Sequence, residues 1–182
     1  MVVVGLLCLP DGAFCGVFGH WMRRKRSGHT KATQRDPVKN HAQIRGILQG
    51  LFPNAEMPPA MSDSTYEYAD ADWIEGKLFR FYKRVMVWAG LMRWMPTHDC
   101  ENKSRIFMCC ACACWGKHAN PQKDAQSIAV GRVSYKRDAG GWHSINVALV
   151  GARFSTMFIE PQGPSVVRLS NAEIDSVRFV EM

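Results

Sequence analysis

Between residues 115 and 127 the chain changes its apolar period, and that change limits the possible folds more than any other feature. Before it, "DWIEGKLFRFYKRVMVWAGLM" carries Trp73, Ile74, Leu78, Phe81, Tyr82, Val85 and Trp88 at spacings of three and four. That is the mark of an amphipathic helix. Ser62 or Asp63 could cap its first turn, and Gly90 and Pro96 are places for it to stop. A second helix is expected from about Asp99 to Trp115, with Gly116 just past its end. After a polar loop, "SIAVGRVSY", "HSINVALV", "FSTMFIE", "SVVRL" and "SVRFVEM" are short β-rich runs separated by turn residues. Ser170 and Glu173 form a capping-box pair that predicts one helical turn between the last two runs. Helices followed by strands in hairpins predict an α+β fold.

At 182 residues, with 47% hydrophobic and 21% charged residues, the chain suits one folded domain and not a disordered polymer. The net charge of +7 is unevenly spread: residues 1–60 hold eight Lys/Arg against three Asp/Glu, and the remainder fifteen against thirteen. The excess sits largely near the run Arg23-Arg24-Lys25-Arg26, which reads as a solvated segment and gives no strong nucleic-acid signal. Residues 1–60 are expected to be a poorly structured basic extension and linker with one short helix at 38–51, and residues 61–182 to be the folded domain. Met61 makes a sensible alternative start. The first 22 residues are apolar, but their basic run follows the apolar stretch, the reverse of a signal peptide. Pro10, Asp11 and four glycines interrupt them, which argues against a membrane anchor. Seven cysteines without regular spacing fit a reducing setting and lean towards the cytoplasm.

The hairpin "HSINVALVGARFSTMFIE" makes a geometric prediction. With Gly151-Ala152 as a two-residue loop, Val150 pairs with Arg153, partner numbers sum to 303, and His143 faces Glu160. Directly opposed residues have Cβ atoms about 4.5–5.5 Å apart. A carboxylate there can take the imidazole N–H and fix its tautomer. A surface His–Glu pair without a task is the competing reading. Cys100 favours the first: it stands where a helix begins, behind Pro96, with Asp99 as its N-cap. Helix N-termini and imidazolium neighbours favour thiolates. Cys109, Cys110, Cys112 and Cys114 lie mid-helix among apolar residues and are expected to be packing groups. Zinc is the alternative, since Cys109 and Cys112 form a C-x-x-C followed by His118, but no second ligand pair has a recognisable spacing.

"HDCENKSRIF", "GWHSINVAL" and "FIEPQG", in that order, resemble the Cys, His and Glu motifs of papain-fold cysteine peptidases. The likeness is to the C-terminal protease domain of the fungal mushroom agglutinins and related bacterial and phage proteins, and it covers about residues 65–182. The resemblance implies a papain-like fold in which a helix starting at the nucleophile packs on an antiparallel sheet. It implies Cys100 as nucleophile, His143 as general base and Glu160 as the orienting carboxylate, with Asn146 and Gln162 in support. It implies a thiol hydrolase that cleaves peptide or related amide bonds through an acyl-enzyme, acting on a peptide, protein or cell-wall peptide. That chemistry needs no cofactor, but the agglutinin domains use calcium, and by similarity Asp99, Glu101 and Asn102 are candidate ligands. A catalytically silent papain-like fold that binds calcium or a partner is the alternative, as is a metal- or nucleic-acid-binding protein that uses the cysteine cluster and the basic N-terminal third.

Overall fold

The computed structural model describes residues 39–55, 61, 63–97, 99–115, 127–151 and 155–182. The basic run at 23–26, Cys8, Cys15, Ser62, Gly116, His118 and most of the polar loop lie outside the described residues. The elements in chain order are β1 (Lys39–Asn40), α1 (His41–Leu51), β2 (Thr65–Glu67), α2 (Ala71–Trp73), a π-helical turn (Ile74–Leu78), α3 (Phe79–Trp88) and α4 (Cys100–Trp115). They continue with β3 (Ser127–Ile128), β4 (Val130–Lys136), β5 (Trp142–Val150), β6 (Ser155–Glu160), β7 (Ser165–Val167), α5 (Asn171–Asp175) and β8 (Phe179–Glu181). The α+β expectation therefore stands, with one antiparallel five-stranded sheet in the order β7-β6-β5-β4-β8. A three-stranded sheet, β1-β2-β3, lies beside it and is parallel between β2 and β3.

Two apolar clusters follow from the alternation of the strands. Val133, Tyr135, Ile145, Val147, Leu149 and Phe158 pack with Ile44, Leu48 and Phe52 of α1 and the residue after it. Val130, Ala148 and Ile159 face the other way, onto Ile74, Leu78, Tyr82, Met86, Phe107 and Ala111. The short helix expected at 38–51 is present as α1, which is capped by a reciprocal Asn40–Gln43 box and buries Ile44 and Leu48 within a compact unit that runs from Asp36 to Met182.

The helix cap expected at Ser62 or Asp63 is likewise corrected. Residues 65–67 form a strand, and the helical stretch begins later, where the Asp70 carboxylate accepts from the Trp73 N–H at 2.8 Å. α3 closes in a Schellman motif. Gly90 takes φ +69°, its N–H donates to the Val87 carbonyl, and the Leu91 N–H reaches back to Met86. α4 spans the expected residues, and its buried stripe is Lys103, Ser104, Phe107, Cys110 and Ala111. That phase turns Cys109 and Cys112 outward. Only Cys110 of the cluster is buried, with Cys114 half-buried, so the expectation of a uniformly packed cluster is corrected.

The hairpin register differs too. Val150 pairs with Ser155 and Asn146 with Ile159, so partners sum to 305 and four residues connect the strands. Ala152, Arg153 and Phe154, on which the expected loop falls, lie outside the described residues, and the end of β5 is held by Ala69: it bridges Val150, and its carbonyl accepts the Gly151 N–H. A shift of two residues leaves every side chain on its face.

Gly131 fixes where β4 and β8 meet, because a Cβ there would collide with the Glu181 backbone carbonyl. Gly131→Ala is expected to displace β8 and cost about 1–3 kcal/mol in urea unfolding, the range for overpacked interiors. Gly163→Ala, whose Cβ would meet nothing within 4 Å, is the control with little change.

Candidate functional site

The residues singled out in the sequence fall into two groups, one at the start of α4 and one where β5 and β6 pair. Asp99 caps α4 as expected: its Oδ1 accepts from the Asn102 N–H at 3.1 Å and from Asn102 Nδ2 at 3.3 Å. Asn102 Nδ2 also donates to the Thr97 carbonyl at 3.1 Å. Glu101 Oε1 lies 2.8 Å from Arg105 and 2.8 Å from Arg132. Arg132, 3% exposed, also bonds Glu181 through Nε and Nη2 at 3.2 and 3.0 Å, with Phe179 under its guanidinium. Sequence reasoning passed over this arginine. Its signal was a charge at an inward position of the apolar strand "VGRVSY".

These contacts commit one oxygen each of Glu101 and Asp99, out of the set expected for calcium. A hard cation wants several uncommitted oxygens. The Glu101 carboxylate is neutralised by two guanidiniums, one Asp99 oxygen accepts two N–H bonds, and Asn102 is engaged through its donor end. No group of three or more His, Cys, Asp or Glu among the described residues is arranged to hold a metal.

His143 and Glu160 do meet. With the observed register continued by one residue, Glu160 falls opposite Ile145, diagonal to His143 on the same face, and the side chains bond at 2.7 Å. A carboxylate only accepts, so Nε2 carries the proton and Nδ1 is left as an acceptor. Glu160 Oε1 accepts the main-chain N–H of Gln162 at 2.8 Å, so Gln162 braces the pair through its backbone. Tyr135 stands edge-on to His143 at 5.9 Å, and burial pushes its phenol up to about 12, with Glu173, Glu160 and Cys100 adding in the same direction. Cys100 thus lies within electrostatic reach of Tyr135, yet its half-buried thiol makes no hydrogen bond to His143 or to any other side chain among the described residues. Asn146 works on the opposite face. Fully buried, it donates from Nδ2 to the carbonyls of Ser104 and Gly131 at 2.9 Å each and ties α4 to the sheet.

No protein-family model matches the chain, and no curated protein matches it. Solved structures do. One is described as a PSL1a–E64 complex: TM-score 0.62, 17% identity, 80% of this chain and 51% of that one. Another is the lectin of Polyporus squamosus bound to the human-type influenza-binding epitope Neu5Acα2-6Galβ1-4GlcNAc: TM-score 0.62, 16% identity, 87% of this chain and 55% of that one. The chain spans about half the length of the solved chains it matches. At these identities the likeness is one of fold. It corrects the resemblance drawn from the three motifs: one of the matching structures carries the name of a lectin and holds a sialylated glycan. The expectations of a cysteine peptidase, of a thiol hydrolase and of a peptide, protein or cell-wall peptide substrate are overturned with it.

Glu160→Ala leaves a buried imidazole N–H without its acceptor and is expected to cost about 1–3 kcal/mol by urea unfolding. Glu160→Gln, which retains an amide oxygen, is expected to cost less. In the cluster, burial pushes the Cys110 thiol up to about 12 from 9.0, with Cys109 and Cys114 adding to it. The folded state therefore holds a proton that the unfolded chain releases, and stability falls as pH rises from about 9 through about 12. Cys110→Ala should flatten that fall in pH-dependent unfolding.

Proposed function

We propose that this chain is a glycan-binding domain built on a papain-like arrangement, with a helix that starts at a cysteine packed against an antiparallel sheet. The observation that carries this reading is the fold shared with the glycan-bound lectin over 87% of the chain. The end of the sheet offers matching chemistry. Trp142, next to His143, is 56% exposed, and the Arg178 guanidinium lies 5.9 Å from its ring centroid. Aromatic faces take the C–H face of a sugar, and a few fixed polar groups orient its hydroxyls. Arg178 supplies donors suited to a sugar carboxylate. Glu160, a quarter exposed and braced by Gln162, supplies an acceptor.

Calorimetric titration of the full chain with Neu5Acα2-6Galβ1-4GlcNAc and with its asialo counterpart tests the proposal. Saturable binding, weakened about tenfold or more by Trp142→Ala, is expected. Absence of binding to either sugar would sink it. Alkylation at about pH 8 supplies the second arm: Cys100 should react no faster than an ordinary half-buried thiol. Rapid, selective modification of Cys100 by iodoacetamide or E64, abolished in His143→Ala, would replace this reading with an armed thiol.

A further inference from the structure

Residues 76–98 contain five basic side chains, Lys77, Arg80, Lys83, Arg84 and Arg93, and no Asp or Glu. All five are exposed. In the same stretch stand most of the large apolar side chains that face solvent among the described residues: Val87 and Trp88 at 60% and 61%, Trp94 at 54%, and Met92 and Met95. On α3 the pairs Lys83/Val87 and Arg84/Trp88 stand at i,i+4, so each apolar residue sits one turn beyond a base. The buried face of the same helix carries Tyr82 and Met86, so the exposed residues are not surplus core.

The loop from 91 to 97 is held in place from beneath. The Schellman motif fixes its entry through Leu91 N–H to the Met86 carbonyl at 2.8 Å. Lys103, 1% exposed, donates from Nζ to the Met92 carbonyl at 3.2 Å, and Asn102 Nδ2 holds the Thr97 carbonyl at 3.1 Å. An ammonium is costly to bury, and here it serves to hold loop backbone. With the backbone fixed at three points, Met92, Trp94 and Met95 are presented outward.

We infer that this platform, α3 from Lys83 to Trp88 together with the loop 91–97, docks on an anionic phospholipid bilayer. Tryptophan and methionine side chains enter the headgroup boundary while lysine and arginine stems lie along it with their charges on lipid phosphates and carboxylates. The uninterrupted positive charge is the complement of such a surface. Attachment is peripheral: no helix among the described residues is long and apolar enough to cross a membrane.

Sedimentation of the full chain with vesicles tests this, comparing phosphatidylcholine alone with phosphatidylcholine containing about 30% phosphatidylserine. Partitioning onto the anionic vesicles is expected, with a blue shift of tryptophan emission and a marked loss in about 0.5 M salt. Lys83→Glu and Arg93→Glu should each weaken partitioning about fivefold or more, and Trp94→Ala by roughly tenfold. Trp142→Ala should change nothing. The inference fails if the chain ignores anionic vesicles, if it binds both vesicle types equally, or if the platform variants bind as the parent does. It also fails if those variants weaken binding of a sialylated sugar and leave vesicle binding intact.

Discussion

A buried guanidinium organises the middle of this molecule. Arg132 projects from β4 into a site walled by Phe179, and its nitrogens are divided between Glu101 at the head of α4 and Glu181 at the end of the chain. An arginine removed from water needs its charge and its donors answered together. One strand therefore fixes the first turn of the helix on one side and the last strand on the other. Asn146 adds a second tether a turn further along, from the centre of β5 to the Ser104 carbonyl. Between these anchors the start of α4 has little freedom, and the position of Cys100 beside the sheet end follows from them and not from any bond that Cys100 makes itself.

What was legible in the sequence was whatever depends on neighbours in sequence. The stripe from Trp73 to Val85, the cap at Asp99, the Ser170–Glu173 box and the β-rich runs after 127 each declare themselves within one or two turns, although Trp88, read into the same stripe, faces solvent. What was missed depends on distant partners. α1 brings only a few apolar residues from a polar, proline-rich neighbourhood, and nothing local shows that Ile44 and Leu48 fill the sheet's open face. The register was off by two because the hold of Ala69 on the end of β5 is made from 80 residues earlier. The His143–Glu160 pair survived that error because strand faces repeat every two residues.

A histidine held by a carboxylate, near a cysteine at a helix start, is a grouping that sequence motifs tie closely to hydrolysis. In three dimensions the same atoms also secure a sheet edge: Glu160 closes the turn at Gln162 and immobilises a buried ring beside Tyr135. Fold and function part company at such places. The exposed Trp142, although inside the quoted stretch "GWHSINVAL", and Arg178 drew no notice, because a tryptophan at the end of a strand reads in sequence like one more β-former.

The π-helical turn between α2 and α3 changes how that helical stretch meets the core. Ile74, Leu78, Tyr82 and Met86 are all buried, and they recur every four residues. In an unbroken α-helix such a series would wind about 40° around the axis at each step, carrying its far end off the sheet. The wider turn at 74–78 takes up part of that drift at the outset, so the four side chains keep a common bearing. One inserted residue thus works like a clock adjustment: it resets the phase of everything downstream, including the angle at which Val87 and Trp88 leave the body of the protein.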